Sequence, residues 1–166
     1  DLLVVETAQD TLNVKAAFVG IERAFAKTGL RVPLMLSVTI EPMGTMLAGQ
    51  TVEALHASVE HVPLVTIGLN CATGPAFMAD HVRTLAEMTP LYVSCMPNAG
   101  LPDEEGRYNE LPDAFAGKLA RFVESGWLNV IGGCCGTTAE YVKRLAALVD
   151  GKRPRVPKTE IRAAVS

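Results

Sequence analysis

The sequence predicts a parallel α/β fold, and three observations carry that reading. Five apolar runs of strand length are each followed by a stretch with helical spacing, the runs are almost continuously apolar, and polar residues gather where the runs end. A sheet with one wet face would instead alternate apolar and polar residues. The bulk composition agrees: 166 residues, 49% apolar, with a formal net charge of −3, suit one compact domain. No basic excess exists to hold phosphates, which argues against nucleic acid and against an anionic membrane surface as partners. The apolar runs fall well short of the ~20 residues that cross a bilayer, and no charged-then-apolar leader opens the chain, so a cytoplasmic protein is expected. Its four cysteines are then expected as free thiols, available to a metal or to catalysis, rather than as a disulfide framework.

Taken in order, "DLLVVE" (1–6) reads as a buried strand and 11–29 as a helix closed by Gly29, a residue type that accepts the left-handed conformation of a helix end. A second strand is expected over 32–40. After the turn-rich "EPMGTMLAGQ", Thr51 reads as the cap of a helix through "VEALHASVE", and Glu53 places a carboxylate in its first turn, where the helix dipole favours it. A full capping box is missing, because Ala54 stands three residues on. Strand 63–70, helix 75–88, strand 90–96, the long loop "PNAGLPDEEGRYNELP", helix 112–125, strand 127–133 and helix 138–149 complete the series. The stretch from Pro154 carries proline and charge without apolar periodicity, so 154–166 reads as a linker after a domain over 1–153.

Two architectures accommodate five such units: an open doubly wound sheet, or part of a (βα)₈ barrel, which when closed takes about 250 residues and eight units. Asp1 leads straight into a strand, and the expectation is that the chain is entered in mid-fold and belongs to a longer protein. In either architecture chemistry gathers at the carboxyl ends of the strands. Glu6, Thr39, Asn70, Cys71, Asn98, Cys134 and Cys135 all fall there. Three thiols on one rim suggest a tetrahedral zinc site with an open position, as in catalytic zinc centres. Neighbours on a regular strand point to opposite faces, so Gly132, Gly133 and Gly136 are expected to free the backbone for φ > 0 and let Cys134 and Cys135 meet one point. The open position would suit a fourth thiol, kept deprotonated at neutral pH yet still nucleophilic. Sulfur ligands would also accept other soft metals.

Other residues read more plainly. Cys95 lies inside a strand and is expected as core filler. His56, His61 and His81 lie in or just after helical stretches, as surface or internally satisfied side chains, and no histidine sits at a strand end to serve as the base of a cysteine nucleophile. "GLNCATG" lacks G-x-G-x-x-G and a following acidic residue, so a dinucleotide site is not expected. A non-catalytic alternative stays open, in which zinc pins two loops of a larger α/β assembly and the chain is a structural or interaction module.

"GLNCATGP", "MPNAGLP" and "VIGGCCGTT", in that order and spacing, resemble the homocysteine-binding domain of the homocysteine S-methyltransferases, and "VVETAQDTLNVKAA" resembles the cobalamin-dependent branch of that family. The resemblance covers nearly the whole chain. It implies a (βα)₈ barrel represented by about five C-terminal βα units, with three further units before Asp1. It implies zinc on Cys71, Cys134 and Cys135, homocysteine bound to zinc through sulfur, Glu6 on the amino group of homocysteine, and Asn98 beside the metal, filling its fourth position when substrate is absent. The implied function is activation of homocysteine as a thiolate for methyl transfer, giving methionine. Methyl-cobalamin would be the donor and 5-methyltetrahydrofolate the ultimate source. Cobalamin-binding and folate-binding domains of the same polypeptide would hold them, with the stretch from Pro154 leading towards those domains.

Overall fold

The computed structural model describes residues 1–158. Strands and helices alternate without exception: β1 (Leu3–Ala8), α1 (Thr11–Thr28), β2 (Leu34–Val38), α2 (Val52–Val59), β3 (Leu64–Asn70), α3 (Pro75–Met88), β4 (Tyr92–Met96), α4 (Pro112–Glu124), β5 (Val130–Ile131) and α5 (Ala139–Val149). Every pairing is parallel and the sheet order is β1-β2-β3-β4-β5. An open doubly wound sheet reverses its strand order at a switch point. An order that never reverses is instead the one-way winding of a barrel wall, so the topology bears out the barrel that the resemblance implied over the open sheet that periodicity alone allowed.

The register explains the apolar runs. Leu36, Ile67 and Val93 pair in one row, and Val38, Leu69, Cys95 and Ile131 in the next. These rows share one core with Val14 and Phe18 of α1, Met78, Val82 and Leu85 of α3, and Phe115 and Leu119 of α4. Alternation sends the intervening residues to the other face of the sheet. That face is small and polar: Ser37 pairs with Gly68, and Gly68 with Ser94. A Cβ on Gly68 would collide with both the side chain and the carbonyl of Ser94, so β3 and β4 approach this closely because position 68 has none.

Local signals end the helices where the sequence places them. Asp10 caps α1 by accepting from Asn13 N at 2.8 Å, and Gly29, at φ 71°, donates its N–H to Phe25 O at 2.9 Å. Thr51 accepts from Ala54 N at 3.3 Å. α3 and α4 open on Pro75 and Pro112, whose missing N–H would be unpaired there in any case. His56 is buried with Nε2 3.2 Å from Thr89 Oγ1, a satisfied histidine as expected.

Three features depart from the sequence reading. β5 is far shorter than the apolar run over 127–133, because Asn129 pairs with Val93 through its side chain as well as its backbone, and a glycine turn follows at once. β1, expected as a buried strand, is a sheet edge, with Leu2, Leu3 and Val4 exposed at 50%, 41% and 45%. The stretch after Pro154 is packed rather than detached. Arg155 is 5% exposed and its guanidinium donates to the carbonyls of Ala86, Thr89 and Leu91, at and just beyond the C-terminus of α3, where the helix dipole favours a cation. Asn129 Nδ2 donates to Arg155 O at 2.7 Å, and Lys158 Nζ to Glu87 O at 3.1 Å. One cation satisfied by carbonyls leaves no periodic trace in a sequence. The rest of the expected linker, 159–166, lies outside the described residues. Among the described residues, no helix is long and apolar enough to cross a membrane.

The contact at Gly68 gives a direct test. Gly68→Ala forces a methyl group against backbone, so stability should fall by about 1–3 kcal/mol or more, read as a lower urea midpoint at unchanged m-value.

Candidate metal centre

Cys71, Cys134 and Cys135 come together at the carboxyl ends of β3 and β5, with their sulfurs all within 4.8 Å of one another. The Cys71 and Cys135 sulfurs are 3.5 Å apart. A tetrahedral zinc with Zn–S near 2.3 Å separates its sulfurs by roughly 3.8 Å. The donor set therefore fits that ion in both chemistry and spacing, and leaves one of four positions for another ligand.

Strands β3 and β5 do not touch; β4 lies between them. Both thiol-bearing turns are hung on the end of β4, in the "MPNAG" segment. Cys71 N donates to Met96 O at 3.1 Å, Cys134 N to Pro97 O at 2.9 Å and Cys135 N to Asn98 Oδ1 at 3.1 Å. Asn98 N donates back to Thr73 O at 3.2 Å and Ala99 N to Cys135 O at 2.9 Å. Asn98 is 4% exposed, so its side chain orders the cysteine pair from within.

The backbone irregularity lies partly where the sequence placed it and partly elsewhere. Gly136 has φ 77°, as expected, and a Cβ there would also collide with the Tyr108 ring. Gly132 and Gly133 are not among the residues with positive φ, which corrects the sequence reading: a Cβ on Gly133 would collide with Thr137, while one on Gly132 would only reach ordinary contact with Met96. Thr137 Oγ1 donates to Cys134 O at 2.7 Å and closes the turn. Just past β3, Cys71 and Ala72 themselves take left-handed φ values of 58° and 54°. No glycine marks these positions, so the sequence carries no signal for them. Gly74 and Gly100, whose backbones approach closely, let the two loops cross.

Burial pushes the Cys134 thiol up to about 11; the adjacent Cys71 sulfur adds to the rise and the Asn70 amide opposes it. Three thiols this close resist becoming three thiolates without a cation among them. Cys95 stands apart, fully buried against Met78 Sδ at 3.8 Å, and burial pushes it up to about 12, as expected of core filler. The Tyr108 phenol is pushed up by burial first and then by the Cys135 sulfur beside it. Sequence reasoning passed over Tyr108 because a lone tyrosine in a polar loop carries no pattern.

Glu6 is exposed and lies outside the sulfur cluster. A chain of contacts connects the two: Thr7, next in sequence, is bonded to Asn70, whose Nδ2 lies 3.9 Å from Cys134 Sγ. Asn70 was legible only as a polar strand end. A surface groove of about 790 Å³ between α1 and the 61–63 turn is lined by none of these residues.

A parallel barrel wall carrying three convergent thiols at its carboxyl rim frames a group of side chains that could hold a metal ion. The chain belongs to the homocysteine S-methyltransferase family, whose model matches residues 1–149. It is 44% identical over 162 residues to a methionine synthase of Mycobacterium leprae and 45% identical over 158 residues to one of Mycobacterium tuberculosis, each alignment covering 93% of this chain. The chain spans 13% of the length of either relative. Among solved structures, the homocysteine methyltransferase MmuM of Escherichia coli in its apo form superposes with a TM-score of 0.65 at 22% identity, over 89% of this chain and 49% of that one. The likeness is one of fold, the (βα)₈ barrel type.

Thiol accessibility separates the four cysteines. In metal-stripped protein under native conditions, iodoacetamide should alkylate the exposed Cys135 first and leave Cys95 unmodified until the protein unfolds. Peptide mass mapping over time checks the order, and early labelling of Cys95 would contradict its burial.

Proposed function

We propose that this chain carries the homocysteine-binding site of a homocysteine S-methyltransferase of the methionine synthase type, with zinc held by Cys71, Cys134 and Cys135. The observation that carries the reading is the meeting of three sulfurs, from two strands that do not touch, within 4.8 Å. Family membership supports it. Zinc bound there would keep a substrate thiol deprotonated and nucleophilic near neutral pH.

The protein's own groups do the rest. The β4 end holds both cysteine turns through backbone hydrogen bonds, so the sulfurs are in place before a ligand arrives. Asn98 accepts from Cys135 N and would stand beside the metal. Glu6 offers a carboxylate for the ammonium of homocysteine, and Tyr108 stands beside Cys135 at the open side of the cluster. Methyl-cobalamin would supply the methyl group and 5-methyltetrahydrofolate would replenish it, both held by other domains of the same cytoplasmic polypeptide. Three further βα units would pair with the open edge of β1 and cover Leu2, Leu3 and Val4, completing the barrel.

Metal analysis of the intact protein tests the core of this reading. Alanine at Cys71, Cys134 or Cys135 should strip zinc and abolish homocysteine binding, whereas Cys95→Ala should keep full stoichiometry. Zinc retained after Cys134→Ala, or lost after Cys95→Ala, contradicts the ligand set.

Substrate recognition has its own test. Glu6→Gln should keep zinc and weaken homocysteine by roughly ten- to a hundredfold, the equivalent of about 1.5–3 kcal/mol for a charge-assisted contact. A simple alkanethiol without an amine should lose little; equal losses for both thiols place Glu6 in a structural role.

A further inference from the structure

We propose that Asn70 is the positioning residue that aims Glu6, acting through Thr7, and thereby sets the preference of the site for a thiol that also bears an amine. The inference rests on the homocysteine reading above and names the device that would make it selective.

The starting point is a register shift. Val5 pairs with Leu36 and Ala8 with Val38, so β1 takes three steps where β2 takes two. Glu6 and Thr7 occupy the resulting bulge. Bulges unpair the local backbone and redirect side chains, and they recur beside active sites. Thr7 sits there at φ 55°, a conformation that a β-branched residue rarely adopts and that its surroundings must impose.

Asn70 imposes it from two strands away. Its side chain is 2% exposed at the end of β3. Oδ1 accepts from Thr7 N at 3.2 Å and from Ser37 Oγ at 2.7 Å, while Nδ2 donates to Thr7 Oγ1 at 2.8 Å. The orientation of the amide is settled by these partners, since a flip would face its NH₂ towards the Thr7 N–H, donor against donor. The same Nδ2 lies 3.9 Å from Cys134 Sγ. One planar, buried group thus joins the bulge that carries Glu6 to the thiol cluster, with Ser37 of the intervening strand holding it in place.

The chemistry requires such a link. Homocysteine carries its sulfur and its nitrogen a fixed few bonds apart, so a site reading both ends must hold its carboxylate at a set distance from its sulfurs. An exposed carboxylate on a free strand end would not hold that distance. Thr7 in the bulge, clamped at both its N–H and its hydroxyl, supplies the fixed base.

The test compares homocysteine with 4-mercaptobutanoate, which is homocysteine without its amino group, by calorimetric titration of the intact zinc-loaded protein. Asn70→Ala should weaken homocysteine by roughly ten- to a hundredfold and 4-mercaptobutanoate by less than about threefold, at unchanged zinc content. Thr7→Val, at an exposed position, keeps the N–H and removes the hydroxyl; it should shift the same ratio in the same direction by a few-fold, which keeps the proposal testable if Asn70→Ala does not fold. Equal losses for both ligands, or loss of zinc, would assign Asn70 to general support of the metal end and overturn the proposal, as would an unchanged ratio in either variant. Failure of the unmodified protein to bind homocysteine would overturn the parent reading instead.

Discussion

The constraint on which the rest of this structure depends is that sulfurs from β3 and β5 must meet across β4. Adjacent strands lie about 4.8 Å apart, so two strands separated by a third run roughly 9.6 Å from each other. The Cys71 and Cys135 sulfurs are nonetheless 3.5 Å apart. Side chains of cysteine length do not close that gap from regular strands. The chain turns inward after both, at Cys71 and Ala72 on one side and at Gly136 on the other, and each turn is held by hydrogen bonds to Met96, Pro97 and Asn98. Left-handed backbone at a non-glycine residue costs about 1–3 kcal/mol, and such strain persists where the surroundings over-determine it. Here the end of β4 does so.

Much of the small-residue composition follows from the same demand. Gly68 lets β3 close on Ser94, Gly74 and Gly100 let two loops cross, and Gly133 leaves room for Thr137. At Gly68, Gly74 and Gly133 other atoms occupy the space a side chain would need, whereas Gly100 and Gly136 are glycines for their conformation as well. On the inner face the polar groups answer one another: Ser37, Asn70 and Thr7 form a closed set of donors and acceptors. Apolar packing lies on the other side, where Leu36, Val38, Ile67, Leu69, Val93 and Cys95 meet the helices. The sheet separates stability from chemistry by face, and the two are coupled at the strand ends.

The borders of the domain differ in kind. At β5 the side chain of Asn129 extends the pairing to Val93, and Arg155 ties the stretch after α5 to the carbonyls at the end of α3. At β1 nothing comparable happens, and three apolar residues stand in the open along an unpaired edge. A sheet edge of that character invites pairing, which is the physical content of the proposal that further βα units complete the wall.

The sequence by itself determined the alternation of elements, the helix ends and the rim on which the chemistry would lie, because these follow from local periods and caps: apolar runs for buried strands, Gly29 and Thr51 at helix ends, cysteines just past β3 and β5. It also marked Cys95 as filler and brought the three other cysteines together as one group, since polar strand ends in a parallel fold share a rim. The periodicities left the direction of winding open, because strand order is set by pairing between distant segments and leaves no local signature; the family resemblance implied the barrel, and the strand order bears it out. Tertiary structure alone revealed the left-handed Thr7, Cys71 and Ala72, which no glycine announces, and the contacts of Asn70, Tyr108 and Arg155. Each of these acts through a single contact across a long stretch of chain, and such contacts have no period to read.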